Sequence, residues 1–294
     1  MTLKILVVGL RTIDSGKTTL AASLARALRR EGFDVVALKP IGSVEAWLHP
    51  EALRWSAERG FVVTPDALRL SEAAGAPEPL EAVEPVAAIH APPDPSRWEW
   101  SPAPYQALLG DPNKTAALVR LTACRPGGGA TVHLVNVEAV ERAPRRLAES
   151  LSRVSASLQP PPLRVDSAGL ESSLGPQALA AADSCMELAS SRREVAVVES
   201  YSDVAAPTPW SLDSHIVVAV APGVAAVVDG GRYSRAVHLR GGGGNPSLVS
   251  AGEAVHLAGV RARVELPLLD DPETGYTPGD LAGLVEVVRG FAGP

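Results

Sequence analysis

Near its N-terminus the chain reads Gly9-Leu10-Arg11-Thr12-Ile13-Asp14-Ser15-Gly16-Lys17-Thr18-Thr19. The apolar run at residues 4–8 before this loop predicts a β-strand. After the loop, Leu20, Leu24 and Leu28 recur every fourth residue, which predicts a helix over residues 18–31 with one buried face. A loop that joins a strand to a helix and ends in Gly-Lys-Thr is typical of a phosphate-binding P-loop. The alternative is an ordinary strand-to-helix turn with an exposed lysine.

The residue types in this loop suit the binding of a nucleoside triphosphate with magnesium. Backbone N–H groups of such a loop, together with the N-terminus of the helix, attract anionic phosphate. We expect Lys17 to reach the β- and γ-phosphates, Thr18 to ligate Mg²⁺, and Thr19 to bond the α-phosphate. The expected nucleotide-binding residues are Asp14, Ser15, Gly16, Lys17, Thr18 and Thr19. Asp14 either orients a nucleophile or hydrogen-bonds the turn, and both roles stay open.

The loop departs from the usual G-x-x-x-x-G-K-[ST] spacing. Six residues separate Gly9 from Gly16, and Arg11 occupies the position of the usual first glycine. Lysine is rare in this chain, since only four of the 27 Lys and Arg residues are lysine. That rarity favours a functional role for Lys17.

Two further candidate residues stand at the carboxyl ends of predicted strands. Residues 33–39 form the second predicted strand, which ends at Lys39 and should run parallel to the first in a β-α-β unit. Its lysine would point into the crevice where α/β proteins bind ligands and hold an anionic substrate or the transferred γ-phosphoryl group. Glu199 ends the apolar strand at residues 194–199 and is expected to bind Mg²⁺ directly or through water. For each residue the alternative is a solvated side chain at a strand end.

Composition and charge limit the class of protein. The chain has 294 residues, of which 46% are hydrophobic and 20% charged, and its net charge is −6. This predicts a globular protein with a sizeable core, and the acidic balance disfavours a large nucleic-acid footprint. No run approaches the roughly 18 apolar residues of a membrane helix, and the first residues do not resemble a signal peptide. We therefore expect a cytoplasmic protein without membrane contact, with Cys124 and Cys185 reduced.

The middle of the chain is expected to be an insertion. The proline- and tryptophan-rich residues 92–113 predict an irregular surface loop. Residues 117–122 and 131–135 flank a Pro-Gly-Gly-Gly turn and predict a β-hairpin. We expect a single domain over residues 1–294, with an insertion or lid subdomain at residues 92–160.

Two later segments carry turn and cap signals. Residues 224–237 are interpreted as a hairpin that turns at Asp229-Gly230-Gly231, in preference to the start of a helix. The motif Thr277-Pro278-Gly279-Asp280 predicts the start of a helix that runs to about residue 291.

Three segments, in order along the chain, resemble the dethiobiotin synthetase family of P-loop ATPases. The second strand ends in Lys39-Pro40-Ile41, and Thr64-Pro65-Asp66-Ala67-Leu68 is similar to a segment whose aspartate binds Mg²⁺ in that family. Val197-Val198-Glu199 stands where a later strand of the family ends in a glutamate. The resemblance covers residues 1–70 and, in outline, residues 195–221.

The resemblance implies an α/β fold of the P-loop NTPase type, a three-layer sandwich with a mostly parallel central sheet and an inserted β-hairpin and helix. It also implies ATP and Mg²⁺ as cofactors, and a homodimer, because that family builds its substrate site across a twofold interface. The candidate metal ligands are Thr18, Asp66 and Glu199, and the candidate catalytic residues are Lys17, Lys39 and Asp14. An aspartate after a proline near a helix start is often only a cap, so both roles of Asp66 stay open.

The segment after Glu199 departs from the family, because Ser200-Tyr201-Ser202-Asp203 replaces its glycine-rich stretch. The family's own acceptor is therefore not carried over. We expect an ATP-dependent kinase, or a ligase acting through an acyl-phosphate, with a small-molecule acceptor. One alternative is a nucleotide-dependent switch or partitioning ATPase, although such proteins usually carry a lysine where this loop has Arg11. The other is a polynucleotide 5′-hydroxyl kinase, which the acidic charge disfavours.

Overall fold

The computed structural model describes residues 2–75 and 78–292 of the chain. The chain divides into two compact units. The first unit comprises Met1–Ile41, Arg69–Glu84 and Asp183–Pro294, and the second comprises Gly42–Leu68 and Pro85–Ala182. The segment expected to be an insertion, residues 92–160, lies within the second unit.

The described residues form eleven strands and fourteen helices, besides two short 3₁₀ helices at Pro95–Trp98 and Pro246–Leu248. The strands are β1 (Leu3–Gly9), β2 (Val35–Leu38), β3 (Ile41–Glu45), β4 (Val86–His90), β5 (Ala116–Arg125), β6 (Gly128–Asn136), β7 (Leu163–Val165), β8 (Val195–Glu199), β9 (Ile216–Ala221), β10 (Val224–Asp229) and β11 (Ala262–Glu265). The helices are α1 (Lys17–Arg30), α2 (Pro50–Arg59), α3 (Pro65–Ala74), α4 (Leu80–Val83), α5 (Pro102–Leu109), α6 (Pro112–Thr115), α7 (Val137–Arg142), α8 (Arg145–Ser157), α9 (Ser167–Ser173), α10 (Pro176–Ser190), α11 (Pro209–Leu212), α12 (Gly230–Gly241), α13 (Ala251–Ala258) and α14 (Ala282–Ala292).

The first unit is built on a six-stranded sheet with the order β11-β10-β9-β1-β8-β2. Strands β9, β1, β8 and β2 are parallel, whereas β10 and β11 extend the sheet in antiparallel pairing. Side chains of β1 alternate between two cores, with Ile5 and Val7 on one face and Leu6 and Val8 on the other. Helices α1 and α14 cover the first face, and α12 and α13 cover the second. The α/β class predicted from the sequence is confirmed, because strands buried on both faces need helices on both sides.

Helix α1 matches its sequence prediction closely. Leu20, Leu24 and Leu28 are all fully buried against the sheet. Arg29 and Arg30 occupy the last turn, where positive charges interact favourably with the negative end of the helix dipole. The leucine periodicity and these terminal arginines therefore account for the helix.

The second unit contains a five-stranded sheet with the order β3-β4-β5-β6-β7. Strands β5 and β6 form the predicted hairpin, in which Leu118 faces Val135 across an antiparallel ladder. Gly127 turns this hairpin with a φ of 86°, in the left-handed region that favours glycine. The core of the unit contains Leu118, Ile89 and Leu151, each of them fully buried.

Two predicted loops are wrong in the structure. Residues 92–113 contain helices instead of an irregular loop, and Pro102 and Pro112 begin α5 and α6 as their first residues. A proline is favoured at that position because its missing N–H needs no partner there. The favoured hairpin at residues 229–231 is also wrong, because the Asp229 side chain accepts a hydrogen bond from Arg232 N and caps α12.

Two other findings bear on the sequence expectations. In the part of the chain that the structure describes, no helix is both long and apolar enough to cross a membrane. In that described part, Cys124 and Cys185 are both disulfide-bonded and not free thiols, so the expectation of two reduced cysteines is wrong.

Candidate functional site

The loop after β1 leads into α1, whose N-terminus has no side-chain cap and lies at the carboxyl ends of the parallel strands. Gly16 has φ 88° and ψ 13°, a left-handed conformation that a glycine adopts without a steric penalty. Helix α1 begins at the next residue, Lys17, with no side-chain cap and no acidic residue in its first turn. The first backbone N–H groups of a helix have no partner within the helix, so this terminus is suited to an anion.

The Lys17 side chain folds back toward the end of β1. Its Nζ donates a hydrogen bond of 3.1 Å to Ser15 Oγ, and the Ser15 residue is buried. A Cβ placed on Gly9 would overlap the Ser15 hydroxyl and lie 2.9 Å from Lys17 Nζ. Gly9 therefore leaves the space in which this lysine and serine meet, and this explains on steric grounds why the loop begins with a glycine.

The tip of the loop stands in solvent. Residues 10–14 are exposed, and the Ile13 side chain reaches 70% exposure. Asp14 has a φ of 52°, which is uncommon for a residue other than glycine. Aspartate tolerates this region better than most residues, so the structure is compatible with the turn role of Asp14 and leaves its carboxylate exposed.

The parallel register brings Glu199 and Lys39 to the same edge of the sheet as the loop. In the ladders Val7 faces Glu199, and Leu38, the residue before Lys39, faces Val198. The Lys39 backbone is anchored by its N–H, which donates to Val83 O at 2.8 Å. Carboxyl ends of parallel strands that meet in this way line the crevice where open α/β sheets bind ligands.

Thr18, Lys39 and Glu199 form one hydrogen-bonded cluster. Glu199 Oε1 accepts from Thr18 Oγ1 at 2.7 Å and from Lys39 Nζ at 2.8 Å. The side chains of Lys39 and Glu199 are only 6% and 1% exposed, so this is a buried ion pair. Three residues that the sequence analysis selected separately therefore lie together.

The donor set of this cluster fits magnesium. A threonine hydroxyl and a carboxylate are hard oxygen ligands, and Mg²⁺ usually binds through one or two such groups together with water and substrate phosphates. Among the described residues no group of three or more His, Cys, Asp and Glu side chains is placed to hold a metal by itself. A magnesium ion bound by Thr18 and Glu199 would leave positions in its octahedral shell for water and phosphate oxygens. Asp66, the third candidate, lies in the first turn of α3.

The loop after Glu199 adopts a strained turn. Ser202 has a φ of 47°, in the region that glycine occupies easily. Ser200 is fully buried, and its hydroxyl donates to Val204 O at 3.1 Å. Burial also raises the pKa of Tyr201 above its ordinary value. Side chains rather than glycines therefore shape the space next to the glutamate.

A C-terminal segment that the sequence analysis did not select lies along α1. Thr19 Oγ1 donates to Pro272 O at 3.3 Å, and Tyr276 N donates to Ser23 Oγ at 2.9 Å. Gly275, with a φ of 72°, leaves no room for a side chain against Ser23. The turn-forming sequence Asp-Pro-Glu-Thr-Gly indicated a bend here, but nothing local indicated its neighbour, because the contact spans more than 250 residues.

The sequence matches no protein-family model, and no curated protein shows significant similarity to it. The functional argument therefore rests on the residues of this edge of the sheet and on their geometry.

Proposed function

We propose that this protein is an ATP- and Mg²⁺-dependent enzyme of the P-loop type that transfers the γ-phosphoryl group of ATP to a small acceptor. The observation that carries the proposal is the convergence of an uncapped helix N-terminus, Lys17 and the Thr18–Glu199–Lys39 cluster at one sheet edge. Such a set combines anion binding with oxygen ligands for a divalent cation.

In this proposal each residue has a defined task. The N–H groups that begin α1 bind phosphate oxygens, and Lys17 neutralises charge on the β- and γ-phosphates. Thr18 and Glu199 hold Mg²⁺, which supplies charge neutralisation when bound. Lys39 binds the anionic acceptor or the transferred group. Asp66, which is a candidate for either a helix cap or a metal ligand, would add a third ligand to the metal if it has the second role.

The transfer itself forms one bond and breaks another. An acceptor oxygen bonds to the γ-phosphorus while the bond from that phosphorus to the β–γ bridging oxygen breaks, and ADP leaves with that oxygen. An oxyanion acceptor, such as a carboxylate, loses no proton in this step. A hydroxyl acceptor passes its proton to a base, for which the exposed carboxylate of Asp14 is the candidate in the loop.

The test compares a variant that lacks the loop lysine with a variant that lacks a lysine far from the loop in sequence. We expect Lys17→Ala to lower the affinity for a non-hydrolysable ATP analogue and ATP turnover, the latter at least about 100-fold, because a charge-neutralising group is lost. The matched control is Lys114→Ala, whose half-exposed ammonium group pairs with Asp111 in the second unit. Calorimetry and ADP release measure both effects. Equal behaviour of the two variants would contradict the proposal.

A further inference from the structure

We infer that Arg69 is a phosphate-binding residue, which together with Thr19 contacts the α-phosphate of the nucleotide. The inference rests on the proposed function, because that function assigns a nucleotide to the start of α1. It goes further by adding a cationic ligand from α3, which the sequence of the loop did not indicate. The backbone carbonyl of Pro272 accepts the hydrogen bonds that the phosphate would take.

The first argument is that Arg69 and Thr19 donate to the same oxygen. Pro272 O accepts from Thr19 Oγ1 at 3.3 Å and also from Arg69 Nη2. Because a hydrogen bond spans about 3 Å, two donors to one oxygen lie within about 6 Å of each other. Thr19 lies in the first turn of α1 and is the expected ligand of the α-phosphate. A phosphate that accepts from this threonine is therefore within reach of the guanidinium group.

The second argument is that one edge of the Arg69 guanidinium group is only partly used. Nε and Nη2 form this edge, and their parallel N–H bonds match two oxygens of one phosphate. Nη2 donates to Pro272 O and, over a longer distance of 3.5 Å, to Glu273 O. Nε is buried and has no hydrogen-bond partner among the described residues. A buried donor without an acceptor is unfavourable, and a phosphate would supply that acceptor.

The third argument concerns the charges around Arg69. The pKa of Arg26 on α1 is lowered first by burial and then by the charge of Arg69, while Glu72 acts in the opposite direction. In the described part of the chain, the hydrogen bonds of both guanidinium groups go to uncharged oxygens, those of Arg26 to Ser23 Oγ and Thr274 O. Two neighbouring cations bonded to uncharged acceptors create a positive potential, which attracts an anionic ligand.

Nucleotide binding exchanges one acceptor for a stronger one. Hydrogen bonds to a charged phosphate oxygen are roughly twice as strong as those between neutral groups. Thr19 and Arg69 therefore transfer from Pro272 O to the phosphate when the nucleotide binds. The segment of residues 272–276 stays tied to α1 at its other end, because Tyr276 N donates to Ser23 Oγ at 2.9 Å.

The experiment measures how the loss of affinity depends on the number of phosphates. A fluorescent ATP analogue bound to the full chain is displaced by a non-hydrolysable ATP analogue, ADP or AMP. We expect Arg69→Gln to lower the affinity for all three about tenfold, because all three carry an α-phosphate. Lys17→Ala should instead spare AMP, which lacks the β- and γ-phosphates. No loss in Arg69→Gln, or a loss confined to the ATP analogue, would overturn the inference.

The matched control separates a phosphate contact from the tethering of residues 272–276. Arg26→Gln removes a guanidinium group that also donates to a carbonyl of that segment, Thr274 O at 3.2 Å. Arg26 follows Thr19 by two turns of α1, which is about 10 Å along the axis. The variant should change nucleotide affinity less than about twofold, because a charge at that distance is screened. An equal loss in Arg26→Gln and Arg69→Gln would overturn the inference, since tethering alone would explain both.

A second variant keeps the inference testable if Arg69→Gln does not fold. Arg69→Lys keeps the charge but loses the fork of N–H groups, so its affinity for ADP should fall about threefold. Combined with Thr19→Val, it should lose less than the product of the two single effects, because both side chains bind one phosphate. Independent effects, or unchanged affinity in Arg69→Lys, would overturn the inference. Failure of the wild type to bind the ATP analogue and ADP would instead overturn the proposed function, so the two failures are distinguishable.

Discussion

At the scale of single residues, the buried pair of Lys39 and Glu199 is the feature that most needs an explanation. Removing two charges from water costs several kcal/mol per ion, and their attraction offsets this only with good geometry. Here the glutamate oxygen accepts from both the lysine and Thr18, so the geometry is good. A pair that served stability alone could be replaced by apolar side chains, and buried charged groups are often found at functional sites.

A second residue, His90 on β4, makes stability depend on pH. Burial lowers the pKa of His90 to about 4, while an unfolded histidine titrates near 6.5. The unfolded chain therefore binds this proton more readily, and stability should fall as the pH drops from about 6.5 to about 4. The histidine contributes up to about 3 kcal/mol to that loss.

The variant His90→Asn tests this contribution. Asparagine cannot titrate but can keep a hydrogen bond to the Thr115 hydroxyl, which lies 2.9 Å from His90 Nδ1. We expect the unfolding free energy of the variant, from urea titrations between pH 4 and 7, to depend less steeply on pH. Parallel pH profiles of variant and wild type would show that the histidine contributes nothing.

At the scale of elements, the joint between β1 and α1 depends on a glycine for steric reasons. In Gly9→Ala the new methyl group would meet the Ser15 hydroxyl and the Lys17 ammonium group. We expect at least a tenfold loss of affinity for the ATP analogue and about 1–3 kcal/mol of destabilisation, as for other overpacked sites. Calorimetry and thermal unfolding measure the two effects.

The matched control for that prediction lies in α14. A Cβ on Gly290 would meet no other atom within 4 Å, and the residue is exposed within the helix. Gly290→Ala should therefore stabilise the protein by about 0.5–1 kcal/mol without altering nucleotide binding, because alanine favours a helix. If Gly9→Ala behaved in the same way, the close packing of the loop against Lys17 would have no functional consequence.

Elements with a strong local signal were predicted well. The leucine repeat predicted α1 to within a residue of its ends, and the glycine turn predicted the β5–β6 hairpin. The hairpin prediction at Asp229-Gly230-Gly231 was wrong because an aspartate before glycines suits both a hairpin turn and a helix cap. Contacts outside the segment favour the helix start, since Gly230 N donates to His215 O and a Cβ on Gly230 would overlap Ser214 O.

At the scale of the whole molecule, the resemblance to the dethiobiotin synthetase family predicts a homodimer. Light scattering of the purified protein should then give twice the 30.5 kDa of one chain. The ratio should hold across a range of protein concentrations, because an interface that completes a substrate site has to persist. A mass of 30.5 kDa at every concentration would contradict this expectation.

The sequence by itself determined the local elements and the chemical character of the loop. Apolar periodicity acts over a few residues, so it predicts β1 and α1, and the Gly-Lys-Thr sequence predicts a loop suited to an anion. Only the tertiary structure decided that Glu199 shares one oxygen with Thr18 and Lys39, the latter 160 residues away in the chain. That contact depends on the strand order β1-β8-β2, which is set by the packing of both sheet faces and is not encoded in any short segment.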